Sequence, residues 1–267
     1  MFNRKTAVAA LAILLVLAML FTFASCANSK VLRVGVDDSY PPMEYKDADG
    51  KTTIGFDIDV ATELAKRMGY TSGVKFISND WAGIFDALET GKFDVIISSV
   101  SITPERKAAH ALTNAYVANR QVLVATKANP KGISTPVMLA GMKVGCQVGT
   151  TSEVALQKLV DGNTMTAQSD LVTYPTVTAP FDDLAAGRID AVMVDIVVAK
   201  YYIKNNPDKY VQTWLDVKGE PMAMCFAQVD TDLRDQANTI IKQMQDDGTM
   251  KTISEKWFGE DVTTNLK

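Results

Sequence analysis

The chain has 267 residues, 47% of them hydrophobic and 22% charged, values of an ordinary folded protein that exclude a disordered or collagen-like chain. Its formal net charge is −4 and no block of basic residues interrupts it, which argues against nucleic acid as a partner.

The chain opens on an export signal. Arg4 and Lys5 precede residues 7–24, which carry no charge and are almost wholly apolar, the pattern of a secretory signal sequence. Removing residues 1–25 takes away two basic and no acidic side chains, so the net charge moves from −4 to −6. The 242 residues that remain are enough for one large domain or two lobes of about 100–150 residues each. The segment ends Phe23-Ala24-Ser25-Cys26, where small residues before a cysteine resemble a bacterial lipobox. In that pattern the cysteine is lipidated and becomes the new N-terminus; Phe23 stands where leucine is usual. A cleaved soluble protein and an uncleaved anchor are the alternatives, because 18 residues approach the roughly 20 that span a bilayer. On every reading the folded part lies outside the cytoplasmic membrane. Cys146 and Cys225 both sit in apolar, strand-like runs; two cysteines cannot build a disulfide framework, and their pairing stays open.

Strand and helix signals then alternate. Residues 31–37 read as a buried strand. Asp57 is placed to cap a helix whose apolar face is Ile58, Ala61, Leu64, Ala65 and Met68, ending at Gly69. Residues 74–77 read as a strand, 81–90 as a helix stopped by Gly91, and 93–98 as a strand. This βαβαβ order predicts parallel strands with helices on both faces. The pattern recurs. Residues 32–37, Leu-Arg-Val-Gly-Val-Asp, match residues 142–147, Met-Lys-Val-Gly-Cys-Gln, at an offset of 110. Leu88-x-x-Gly91-Lys92-Phe93-Asp94-Val95-Ile96 matches Leu184-x-x-Gly187-Arg188-Ile189-Asp190-Ala191-Val192 at an offset of 96. Two matches in the same order predict a pair of similar α/β lobes. A strand at 222–229 and two helices within 232–259 complete the chain. No Pro/Ser-rich linker separates the parts, so strand-like crossovers are predicted near 116–121 and 218–222. The predicted organisation is a signal at 1–25, a first segment of lobe one at 26–117, lobe two at 118–220, and a return segment of lobe one at 221–267.

In open α/β sheets, ligands bind beyond the carboxyl ends of the strands. The first match makes Asp37 and Gln147 equivalent strand ends, and the second does the same for Ser99 and Asp195. Two lobes facing each other would bring these four polar groups to one cleft, a usual place for a small molecule. Thr103 suits an N-cap and Pro104 a first helical position, which puts Arg106 in the first turn of a helix. A cation there is unfavourable unless an anion joins it. Arg106 therefore reads either as a solvated surface residue or as a carboxylate clamp supported by Ser98, Ser99 and Ser101. The turn of residues 148–152, with Thr151 leading into a helix at 152–160, offers free N–H donors to an anion or serves as ordinary capping. Asp195 after a buried strand either caps the helix that begins near Ile196 or holds an ammonium. Tyr40 and Trp81 follow strands and are placed to sandwich a ligand side chain or stack a guanidinium; core packing is the alternative for each. His110 is the one histidine, so neither a His-based metal site nor a Ser-His-Asp triad is predicted, and no nucleotide-binding glycine motif occurs.

These residues resemble the polar amino-acid-binding proteins of bacterial ABC importers, the extracellular solute-binding protein family 3. The segments that carry the resemblance are Val34-Gly-Val-Asp-Asp-Ser-Tyr-Pro-Pro-Met-Glu-Tyr45, Gly55-Phe-Asp-Ile-Asp59, the run from Gly91 through Ser98-Ser99-Val100-Ser101 to Arg106, Val148-Gly-Thr-Thr151, and Gly187 to Asp195. The resemblance implies a two-lobed, type II periplasmic-binding-protein-like α/β fold. Its two parallel-core sheets would be joined by two hinge strands and would close on an amino acid. It implies that Arg106 binds the α-carboxylate with help from Ser101 and Thr151. Asp195 with Ser99 would bind the α-ammonium, and Asp37, Tyr40, Trp81 and Gln147 would line the side-chain pocket. It implies no cofactor, no metal and no catalytic residue, a monomer, a permease partner in the membrane, and a place on the periplasmic or cell-surface side, held by lipid at Cys26. The acidic Asp37 and Glu44 beside two aromatics favour a basic ligand, arginine first, then lysine or ornithine, with glutamine or cystine as polar alternatives. Two other classes stand beside this reading: an enzyme resembling cyclohexadienyl dehydratases on the same scaffold, and an amino-acid sensor.

Overall fold

A computed structural model describes residues 30–165, 170–264 and 266; the expected export signal and Cys26 lie outside the described residues. Two five-stranded sheets carry the chain. The first runs from edge to edge as Val74–Ser78, Leu32–Val36, Val95–Ser101, Met222–Phe226 and Ala111–Leu112. The second runs as Leu171–Tyr174, Val144–Gln147, Ala191–Asp195, Gln121–Thr126 and Tyr210–Leu215. In each sheet the first three strands are parallel and the last two join antiparallel. The fold is the two-lobed α/β architecture expected from the sequence. The chain passes from the first sheet to the second between residues 112 and 121 and returns between 215 and 222. The two passages pair with each other: Val117 and Met222 form an antiparallel bridge, and Glu220 N–H donates to Asn119 O at 2.8 Å.

Packing explains why the sequence repeats. In the first lobe Gly35 lies under the Phe93 ring, where an added Cβ would stand 2.5 Å from the ring carbons. In the second lobe Gly145 lies under Ile189 and Pro180, at 2.7 and 2.9 Å for the same imagined atom. Each lobe thus needs a glycine in its central parallel strand so that an apolar residue from the following unit can seat on the backbone, since close-packed interiors tolerate no extra methyl there. The two sequence matches record this contact.

Several local expectations change. The first helix is Phe56–Arg67, and Asp57 does not cap it. Phe56 and Asp57 donate their N–H groups to Pro42 O and Met43 O, at 3.0 and 2.8 Å, so backbone carbonyls of the preceding loop satisfy that end. Gly55 makes this approach feasible at φ 144, with an imagined Cβ only 2.1 Å from Met43 O. Asp57 is left free to turn inward. The segment expected as one helix at 81–90 is a 3₁₀ turn, Trp81–Gly83, followed by a helix, Ile84–Glu89. A small third sheet, Ser39–Tyr40, Glu44–Lys46 and Thr53–Ile54, escaped the sequence reading because two- and three-residue strands carry no period. Cys146 and Cys225 are both free and buried. Among the described residues no helix is long and apolar enough to cross a membrane.

Candidate ligand cleft

The carboxyl ends of the two sheets' parallel strands face one narrow cavity. Asp37, Tyr40, Trp81, Ser98, Ser99, Ser101 and Arg106 line it from the first lobe, and Gln147, Thr151 and Asp195 from the second. Glu44 and Thr150 complete the wall. Bonds cross between the lobes. Gln147 Nε2 donates to Asp37 Oδ2 at 2.6 Å, Trp81 Nε1 donates to Gly149 O at 2.9 Å, and the Tyr40 hydroxyl donates to Asp195 Oδ2. The cleft is therefore closed. Asp37 and Gln147, matched by the 110-residue offset, meet directly. Ser99 and Asp195, matched by the 96-residue offset, line the same cavity without bonding each other.

Arg106 reaches the cavity through its helix start. Thr103 Oγ1 accepts from the Arg106 N–H at 3.2 Å, and Pro104 opens the helix Pro104–Ala109. The side chain then folds back, and its guanidinium lies over Trp81 and Phe85 with the central carbon 5.3 and 5.1 Å from the ring centroids. Among the described residues it makes one hydrogen bond, from Nη1 to Ser101 O at 3.0 Å, and no ion pair. A guanidinium has five donors, so most of this one remain to be used. Burial lowers its pKa, and the negative charges of Glu220 and Asp195 oppose that shift.

Asp195 occupies the N-cap position of the helix Ile196–Asn205 but makes no cap bond to it. Its carboxylate instead accepts from Tyr40, from Asn119 Nδ2 at 2.7 Å and from Gln121 Nε2 at 2.6 Å. Burial raises its pKa to about 7, and the Glu220 charge adds to the shift. Asp37 is also raised by burial, against the lowering bonds from Ser39 and Gln147.

A second buried acid cluster supports the floor. Asp57 accepts from Tyr116 OH at 2.6 Å and from the Ser99 N–H at 2.9 Å. Ser99 has φ 54, a left-handed conformation that costs a non-glycine residue energy. The buried Asp57 carboxylate holds it there, inside the strand Val95–Ser101. Glu44 Oε1 accepts from Ser98 Oγ at 2.6 Å, and Ser98 Oγ accepts from the Asp37 N–H at 3.0 Å. Burial first and the Asp57 charge second hold the Glu44 carboxyl well above its ordinary range. Its Oε2 finds no donor among the described residues, as befits an acid that keeps its own proton.

The model of the bacterial extracellular solute-binding proteins, family 3, matches residues 32–260. The chain belongs to this family. It is 34% identical over 232 residues to the L-cystine-binding protein TcyJ of Escherichia coli K12, covering 87% of this chain and 84% of that protein. It is 33% identical to the histidine-binding periplasmic protein of Salmonella typhimurium LT2, covering 94% of this chain and 98% of that one. Among solved structures, an ancestral arginine-binding protein bound to arginine superposes with a TM-score of 0.79 at 35% identity, covering 86% of this chain and 98% of the other. The chain is thus a polar amino-acid-binding solute-binding protein of the ABC-importer class, with a type II fold.

In this family 3 protein the sequence reading missed three polar residues around the cleft's rear: Asn119, Gln121 and Glu220. Asn119, Gln121 and Glu220 lie in or beside the two passages between lobes, where neither period nor motif marks a side chain. Gln121 Nε2 faces Asp195, Glu220 and Thr151 at 2.6, 3.0 and 3.1 Å, and its Oε1 accepts from Ser152 Oγ at 2.6 Å.

Proposed function

We propose that the protein captures a single polar L-amino acid between its lobes and delivers it to a membrane permease. The observation that carries this reading is the presence of Arg106 and Asp195 on opposite walls of one closed cavity. Spare guanidinium donors suit an α-carboxylate, and the Asp195 carboxylate suits an α-ammonium. The N–H groups at the start of the helix Thr151–Asp161 favour the same anionic end. For the side chain, Asp37 stands beside Gln147, whose buried Oε1 has no donor among the described residues. Apart from Arg106 no basic residue lines the cavity, so the pocket suits a ligand side chain that donates hydrogen bonds. Arginine is the first candidate, lysine and ornithine follow, and glutamine and cystine are the neutral alternatives. Trp81 bears on this choice, because its ring already lies over the Arg106 guanidinium.

A thermal-shift screen of the twenty amino acids with ornithine, citrulline and cystine tests the ligand, since a bound ligand stabilises the fold in proportion to the logarithm of its concentration over Kd. Arginine is expected to stabilise most. Stabilisation by glutamate or aspartate, with none by arginine or lysine, would overturn the basic reading. Arg106→Ala should cost several kcal/mol of binding, about the penalty for a buried charge without a partner; a Kd within threefold of wild type would sink the assigned site. The anchor rests on Cys26. Metabolic labelling with palmitate should mark wild type and leave Cys26→Ala unlabelled, and equal labelling of the two would refute lipidation there.

A further inference from the structure

Glu220 does not line the cavity, yet its Oε1 accepts from three donors at once: Ser101 Oγ at 2.7 Å, Thr151 Oγ1 at 2.6 Å and Gln121 Nε2 at 3.0 Å. Ser101 belongs to the first lobe, and Thr151 and Gln121 to the second, Gln121 at the first residue of its strand. A hydroxyl has one proton. With the Ser101 and Thr151 protons turned to Glu220, both oxygens present only lone pairs to the cavity. Thr151 Oγ1 also accepts from Gln121 Nε2 at 3.1 Å, so its direction is fixed from two sides.

We infer that Glu220 is the positioning residue that gives the cleft its polarity: by taking the Ser101 and Thr151 protons, it turns those hydroxyl oxygens into acceptors for the ligand's α-ammonium and leaves the α-carboxylate to Arg106 and backbone N–H groups. The inference rests on the amino-acid-binding reading above and deepens it. It also reverses the part that the resemblance implies for the two hydroxyls, which was to assist the carboxylate. Gln121 Nε2 ties this group to Asp195, reaching the Asp195 carboxylate at 2.6 Å, Glu220 at 3.0 Å and Thr151 Oγ1 at 3.1 Å, while Ser101 Oγ joins it through Glu220. The arrangement discriminates against a ligand reversed end for end, because its carboxylate would meet only lone pairs and Asp195.

The test compares ligands that lack one end. Wild type and Glu220→Gln, each as the full folded chain, are titrated with L-arginine, with L-argininamide, and with 5-guanidinopentanoic acid, which has no α-amino group. The amide introduced by Glu220→Gln can donate to the hydroxyls and turn their protons toward the ligand. The variant should weaken L-arginine and L-argininamide by roughly ten- to hundredfold, the range of one hydrogen bond to a charged group, and 5-guanidinopentanoic acid by less than threefold. Equal losses on all three ligands would show a hinge effect and overturn the assignment, as would a loss confined to the ligand without the amine, or no loss. If Glu220→Gln melts well below wild type, Thr151→Val takes its place with the same expected split. Should wild type prefer glutamine in the screen, glutaramic acid serves as the ligand without the amine. A wild-type protein that no amino acid stabilises would bring down the binding reading itself; normal wild-type binding with an unselective loss brings down only the role of Glu220.

Discussion

The two lobes share their packing and differ at their strand ends. Gly35 under Phe93 and Gly145 under Ile189 are the same contact made twice, and the flanking strands follow the same order in both sheets. Beyond those strands the equivalence stops. Where the first lobe ends in Asp37 and Ser99, the second ends in Gln147 and Asp195. Backbone approach is a constraint of the sheet and recurs wherever the sheet recurs. Charge at the strand ends answers to a ligand that has two different ends, so it need not repeat. The carboxylates in the two lobes show the same division. Asp57 in the first lobe holds the strained Ser99 and does not line the cavity, whereas Asp195 in the second does.

The largest expected effect breaks the strand-end pair. Asp195→Ala removes the proposed acceptor for the α-ammonium and, on that reading, strands a cation in a dry cleft, an expected loss of about 3–5 kcal/mol in binding. Ser99→Ala, its counterpart in the other lobe, removes a hydroxyl whose approach to Asp57 is long, at 3.4 Å, and should cost under about 1 kcal/mol. Calorimetric titration of both variants with the ligand found in the screen decides this. Similar losses would mean that the second offset marks functional as well as geometric equivalence.

The next effect is on stability and separates the two glycines. Gly35→Ala drives a methyl against a rigid aromatic ring, and should cost about 1–3 kcal/mol. Gly145→Ala meets the Cδ1 end of Ile189 at 2.7 Å, which can rotate away, and the Pro180 and Tyr174 rings at the slightly longer distances of 2.9 and 3.0 Å. Its cost should be smaller. Urea titrations of the ligand-free variants measure both, and the shared-packing account fails if Gly35→Ala is as stable as wild type.

Much of this division was legible in the sequence. The repeat located the paired strands and, through them, Asp37, Gln147, Ser99 and Asp195. Thr103-Pro104 located the start of the helix that carries Arg106, because capping is a local matter. The cap expected of Asp57 failed, and of the two readings left open for Asp195 the cap is the one that the structure removes, for the same reason: an aspartate beside a helix start looks locally like a cap. In the fold, Pro42 O and Met43 O satisfy the first helix, and Asp195 is drawn away by Tyr40, Asn119 and Gln121. The partners of Asp195 lie 74 to 155 residues distant in the chain, beyond any local pattern. Glu220 was hidden likewise: its contacts to Ser101, Gln121 and Thr151 span 119, 99 and 69 residues.

The acids also titrate differently. Burial raises Asp57 to about 6 and Asp195 to about 7, both from an ordinary 3.8. Between the unfolded and folded values the native state holds a proton that the unfolded chain has lost, so stability falls as pH rises from about 4 to about 7. Asp195→Asn should flatten the upper part of that fall in the ligand-free protein and leave the part near pH 6 to Asp57. An α-ammonium beside Asp195 favours its ionised form, so ligand binding should release a proton near pH 6–7 and tighten as pH rises through that range. Calorimetry in two buffers of different ionisation enthalpy reads the proton count, and uptake instead of release would contradict the placement of the ammonium.

The smallest expected effect concerns closure. Of the bonds between the walls, Trp81 Nε1 to Gly149 O joins a side chain of one lobe to the backbone of the other without touching a charged group. Trp81→Phe keeps an aromatic ring near Arg106 and deletes that donor together with part of the indole. It should weaken ligand binding by about 0.5–1.5 kcal/mol, the net worth of an ordinary hydrogen bond. Since the bond forms only when the walls meet, the loss should enter mainly as faster release, with the association rate nearly unchanged. Stopped-flow fluorescence can follow the two rates through the remaining tryptophans, Trp214 and Trp257. A slower association with unchanged release would place the effect in the open form, and the bond to Gly149 would then have no part in holding the lobes together.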